Sequence, residues 1–91
     1  MNVTDPHVLG TEFERFAKSN IPPGASLAQH SDVQRAFFAG VLVLFGIHDV
    51  LAEMPEQQAV EALDRIREEA FAFAVTQLVI NGRLSERGPL P

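Results

Sequence analysis

The pattern of apolar residues predicts a helix in three stretches of the chain. The apolar positions of the first stretch are spaced i, i+4 and i+7: Leu9, Phe13 and Phe16. Asp5 is a good N-cap residue, and Pro6 suits the first helical position because its missing N–H would have had no partner there. Pro22 cannot continue a helix. The pattern therefore predicts a short helix over about 6–19.

The second stretch is apolar around its whole circumference, over residues 36–47. Ser31-x-x-Gln34, just before it, has the form of a capping box, in which the two side chains satisfy backbone N–H groups of the first turn. β-Branched residues are frequent here, but the length of the run and its continuation at helical spacing favour a helix over a strand. We predict a helix over about 32–53, roughly 33 Å long.

The third stretch carries apolar positions at alternating spacings of four and three, the period of two helices packed at a shallow angle. These positions, called the α3 seam below, are Ala59, Leu63, Ile66, Ala70, Phe73, Gln77 and Ile80. Pro55 suits the first turn, and Asn81-Gly82 is typical of a left-handed helix stop. We predict a helix over about 55–81 that forms an antiparallel hairpin with the second helix. The fold class is all-α.

The length of 91 residues allows one small core. We expect a single helical domain over 1–82 and a flexible tail over 83–91. One neighbouring helix covers about a third of a helix circumference. The apolar surfaces of residues 36–47 and 70–80 are larger than the partner helix of the hairpin and the short first helix can cover. A few hundred Å² of apolar surface left in water costs several kcal/mol at ~25 cal/mol/Å², and such patches mark interfaces.

The simplest solution is a homodimer in which two hairpins form a four-helix core. Its predicted interface residues are Phe37, Phe38, Val41, Leu42, Phe45, Phe71, Phe73 and Leu78. Ala36, Gly40 and Gly46 either allow close backbone approach there or are neutral small residues, and the pattern leaves both open.

Composition excludes several classes of function. The net charge of −5 argues against direct nucleic-acid binding, and the absence of cysteine excludes disulfides and thiolate chemistry. The uncharged run over 36–47 reaches about 18 Å as a helix, short of the ~30 Å core of a bilayer. The N-terminus lacks the pattern of a secretory signal. We therefore expect a cytoplasmic protein without membrane contact.

No arrangement of side chains predicts catalysis. The histidines are His7, His30 and His48, and only His48 adjoins a carboxylate, that of Asp49. Adjacent helix residues do not face each other, so this is not a base with its orienting partner. The motifs of helical metal sites are missing as well. We predict no enzymatic activity, no catalytic residue, no cofactor and no metal.

Four carboxylates of the third helix form a candidate acidic partner surface: Glu61, Asp64, Glu68 and Glu69. The simpler interpretation is a solvated helix face. The functional interpretation is a surface that meets a basic partner or imitates the charge of a nucleic acid.

The segment Arg35-Ala36-Phe37-Phe38-Ala39-Gly40, followed by a hydrophobic helix and by Leu63-x-x-Ile66-x-x-Glu69, resembles small helical proteins encoded by phages and prophages. The resemblance covers residues 33–75 and implies an accessory or host-interaction role. The sequence thus predicts a non-enzymatic protein that homodimerises and acts through protein–protein interaction. The alternatives are an acidic inhibitor that blocks a basic nucleic-acid-binding site, and a helical bundle that binds a small ligand or metal.

Overall fold

The protein is a chain of three helices in a computed structural model, which describes the backbone of residues 1–86 and the side chains of residues 1–80. The helices are α1 (Val8–Asn20), α2 (Leu27–Ala52) and α3 (Glu56–Glu86). The prediction of an all-α chain with a short first helix and a helical hairpin is confirmed. Most of the predicted tail, residues 87–91, lies outside the described residues.

Helix α1 begins two residues later than predicted, because Asp5 closes a turn in front of it. The Asp5 carboxylate accepts a hydrogen bond from the His7 N–H at 2.9 Å, and the Asp5 carbonyl accepts one from the Val8 N–H at 3.2 Å. His7 occupies the N-cap position without a side-chain cap. The helix ends at Asn20, next to the predicted end.

Helix α2 begins five residues earlier than predicted, and the capping box expected at Ser31 is wrong. The Ser26 hydroxyl accepts from the Gln29 N–H at 3.1 Å, and the Gln29 side chain accepts from the Ser26 N–H at 2.8 Å. Ser26-x-x-Gln29 is the same pattern as the predicted box. Once this earlier box starts the helix, propagation through Ser31 costs little, because nucleation is the expensive step.

A short turn over 53–55 joins α2 to α3. The Glu53 N–H donates to the Val50 carbonyl and the Met54 N–H to the Leu51 carbonyl, both at 3.1 Å. Helix α3 then continues to Glu86.

The helix stop predicted at residues 81–82 is therefore wrong, and the expected boundary between domain and tail falls inside α3. Asn and Gly permit a left-handed stop without enforcing one. A glycine inside a helix costs only about 1 kcal/mol relative to alanine.

The chain divides into two units, residues 1–47 and 48–91. The first unit contains α1 and most of α2, and its centre is Phe13, which has no exposed surface. The second contains the last turn of α2 and helix α3, with Leu51 as its best buried residue. Across residues 1–80, the buried apolar side chains are only three: Phe13, Ala17 and Leu51.

Candidate interaction surfaces

An aromatic cluster holds α1 on the first half of α2. The Phe13 ring lies 5.3 Å from Phe37 and 6.3 Å from Phe38, measured between ring centroids. The His30 ring meets Phe13 edge-on at 5.5 Å, and Phe16 packs on Phe37 at 5.4 Å. Tilted and edge-on pairs of this kind add to the stabilisation given by area burial alone. The cluster therefore anchors α1.

Three of the predicted interface residues are half-buried: Phe37, Phe38 and Val41. The contacts of Phe37 and Phe38 with α1 lie within the chain itself. The sequence analysis placed both rings at an interface because it treated α1 as covering only part of α2. It did not match the phenylalanines of α1 to Phe37 and Phe38. The signal was the pair Phe13 and Phe16, which share one face of α1.

The other five predicted interface residues are mainly in solvent. Their exposed fractions are 71% for Leu42, 57% for Phe45, 68% for Phe71, 65% for Phe73 and 70% for Leu78. Further exposed aliphatic residues, which the predicted interface left out, lie on the same helices: Leu27, Val43, Leu44, Val50, Val60, Val75, Val79 and Ile80. The sequence shows that these residues are apolar, but it does not show which side of each helix stays exposed.

The α3 seam is covered along only part of its length. In its first part Ala59, Leu63 and Ile66 are half-buried, close along the chain to the buried Leu51. In its second part all four members are exposed: Ala70, Phe73, Gln77 and Ile80. The same periodic face thus passes from a covered to an uncovered segment without a change in its pattern.

The four carboxylates of the candidate acidic surface are all exposed. Glu61, Asp64 and Glu68 follow one line along the helix, at i, i+3 and i+7. Among the described residues, the ion pairs are Glu12 with Arg15 at 3.6 Å and Asp32 with Arg35 at 3.5 Å. Neither pair involves the acidic surface.

Groups of His, Asp and Glu close enough to hold a metal ion do not occur in the described part of the chain. The histidine singled out in the sequence, His48, is exposed, while His30 belongs to the aromatic cluster.

The first unit also has an open pocket of about 520 Å³ between its N-terminal segment and α1. The apolar lining residues are Met1, Val3, Val8, Leu9, Phe16 and Phe37.

Helix α2 is the one described helix that is long and apolar enough to cross a membrane. Over 18 residues its mean hydropathy reaches 1.7, and none of that window is buried. The helix is 26 residues long, or about 39 Å. The sequence analysis had compared only the 12-residue run 36–47, about 18 Å long, with the thickness of a bilayer. Length and hydropathy do not separate a helix that faces lipid from one that faces protein, so the absence of membrane contact stays a prediction.

Comparison of the chain with protein-family models, with curated proteins and with solved structures finds no match.

Proposed function

We propose that the protein is a non-enzymatic homodimer that acts through protein–protein interaction. The observation that carries the proposal is the excess of exposed apolar surface on α2 and α3. Four of these side chains, Leu42, Phe71, Phe73 and Leu78, each expose between 65% and 71% of their surface, and exposed apolar surface of this kind marks interfaces.

Exposed aliphatic and aromatic side chains of this number are costly in water. At ~25 cal/mol/Å², covering even 300 Å² of apolar area on each chain, about 600 Å² in the dimer, would favour association by roughly 15 kcal/mol before the entropy of association is counted. A second copy is the simplest cover, because it is always present at the same concentration and closes the assembly by two-fold symmetry. We expect two hairpins to form a four-helix core.

The test is the molar mass in solution, measured by light scattering over a dilution series. The proposal expects about 20 kDa, twice the 10.0 kDa of one chain. A stable mass near 10 kDa at every concentration would refute it.

An acidic inhibitor is the second candidate function, and the exposed line of Glu61, Asp64 and Glu68 favours it. Such a surface would meet a basic patch on another protein and block nucleic-acid binding there. Replacing the four carboxylates by lysine should then abolish capture of the basic partner, while the neutral replacements by glutamine should weaken it. Unchanged capture by the lysine variant would refute this candidate.

A phage accessory or host-interaction role would suit either function. The support for it is the resemblance of residues 33–75 to small helical proteins of phages and prophages. Isolation of the protein from cells with its partners attached would identify the process it belongs to.

A further inference from the structure

The open pocket of the first unit has a carboxylate in the middle of an apolar wall. Its volume of about 520 Å³ lies within the range of small-molecule sites, about 300–1,000 Å³, which are mostly apolar with a few polar groups. Glu12 lines the pocket on the same face of α1 as Val8 and Phe16, which lie one turn before and one turn after it. Phe37 of α2 lines it as well, with its ring centroid 5.4 Å from that of Phe16.

The described residues form two arginine–carboxylate pairs of the same kind, and the exposure of the acid differs between them. Arg15 lies 3.6 Å from Glu12, three residues before it on α1. Arg35 lies 3.5 Å from Asp32, three residues before it on α2. The Glu12 side chain is 18% exposed, whereas that of Asp32 is 72% exposed. Water can therefore solvate Asp32 freely and Glu12 only in part.

The contact with Arg15 is too long to replace the water that Glu12 loses. A charge-assisted hydrogen bond from nitrogen to a carboxylate measures about 2.7–2.9 Å, and the Arg15 side chain is itself 67% exposed. An uncharged molecule that filled the pocket would remove more water from the carboxylate without giving it a donor, which costs free energy. A ligand with an ammonium group supplies both the donor and the opposite charge.

We propose that this pocket binds a small organic cation, a protonated amine attached to an apolar body, with its ammonium group on the Glu12 carboxylate. The apolar body packs against the apolar lining residues. The rings of Phe16 and Phe37 add to the preference for a cation, because the electron-rich faces of aromatic rings attract positive charge. The proposal goes beyond the homodimer, since the pocket lies within residues 1–47 of one chain.

An anionic ligand suits the same pocket less well. Its counterion would be Arg15, and an ion pair with an exposed guanidinium contributes little, because water already solvates that group. The anion would also lie close to the Glu12 carboxylate, and like charges placed side by side repel. The pocket therefore distinguishes ligands by the sign of their charge.

The charge preference is tested with three probes that share a phenylethyl body and differ in the head group: phenethylammonium, phenethyl alcohol and hydrocinnamate. Amide chemical shifts in NMR titrations measure the affinities and show whether the shifts fall on α1. We expect the ammonium to bind at least about 10-fold more tightly than the alcohol, the effect of one charge-assisted hydrogen bond, and the carboxylate to bind most weakly. Any other order, shifts confined to α3, or no binding at all would overturn the proposal.

The position of the ammonium group is tested with the matched variants Glu12→Gln and Asp32→Asn. Both replace a carboxylate by an amide of the same shape and release an arginine, but Glu12 lines the pocket and Asp32 does not. Glu12→Gln should weaken phenethylammonium binding at least about 10-fold, and Asp32→Asn should leave it unchanged. Circular dichroism checks that both variants fold. Unchanged affinity in Glu12→Gln, or equal losses in both variants, would overturn the assignment.

The apolar wall is tested with Leu9→Ala and Leu44→Ala, since the two leucines have similar exposures of 37% and 43% and only Leu9 lines the pocket. Leu9→Ala should weaken phenethylammonium and phenethyl alcohol alike, by about five-fold, because apolar contact does not depend on the head group. Leu44→Ala should bind both probes as the unmodified chain does. No loss in Leu9→Ala, or an equal loss in Leu44→Ala, would place the probes on the exposed helix surfaces and overturn the proposal.

Discussion

Phe13 is the residue on which the first unit depends most. Its side chain has no exposed surface, and its ring lies near Phe16 of α1 and against His30 and Phe37 of α2. We predict that Phe13→Ala destabilises the folded chain by about 3–5 kcal/mol, the range for removing a buried phenylalanine. Urea denaturation followed by circular dichroism measures this loss. The matched variant is Phe16→Ala, at 38% exposure, and an equal or larger loss there would contradict the central position of Phe13.

Ser26 has a role at the residue scale that the sequence pattern assigned to Ser31. Ser26→Ala removes the hydroxyl that accepts from the Gln29 N–H, so the free energy of unfolding should fall by about 1 kcal/mol. Ser31→Ala replaces an exposed serine inside α2 with a better helix former and should be neutral or slightly stabilising. Hydrogen exchange of the first α2 amides tests the pair. Faster exchange in Ser31→Ala rather than in Ser26→Ala would refute the observed cap.

Among the elements, α2 has two glycines in its apolar part whose role the sequence left open. A Cβ added at Gly40 or Gly46 meets nothing within 4 Å in the single chain. Each change to alanine should therefore stabilise α2 by about 1 kcal/mol, because glycine loses more backbone entropy in a helix. The thermal midpoint should rise, and the molar mass should not change.

Ala39→Gly, an exposed position of the same helix, is the reverse control and should lower the midpoint. A lower midpoint or a lower mass in the Gly→Ala variants would mean that another backbone approaches α2 closely in the assembled protein. In that case the glycines would belong to the interface.

The three helices were predictable because α1 and α3 have a periodic apolar face and α2 has a long apolar run, and both signals are local. The ends were less predictable, because two Ser-x-x-Gln patterns compete for the start of α2, and Asn81-Gly82 permits a stop that the helix does not use. The candidate surface was predictable only as an excess of apolar residues. Which residues stay exposed depends on α1, whose phenylalanines cover Phe37 and Phe38 and leave Phe45 uncovered.

At the scale of the whole molecule, the proposed dimer carries a formal charge of −10, twice the −5 of one chain. Association driven by apolar burial does not depend on ion pairs between the copies, and salt screens the repulsion between them. We therefore predict that raising NaCl from about 0.05 M to about 0.5 M leaves the dimerisation constant unchanged or tightens it. Light scattering on a dilution series at both salt concentrations measures this.

The Gln58→Glu variant is the control for charge, because it adds two negative charges to the dimer at an exposed position outside the predicted interface residues. Its dimerisation should be somewhat weaker than that of the unmodified chain in low salt and should recover in high salt, as screening removes the added repulsion. Dissociation of the unmodified protein by salt would mean that opposite charges hold the copies together. The exposed α2 and α3 surfaces would then need a cover other than a second copy.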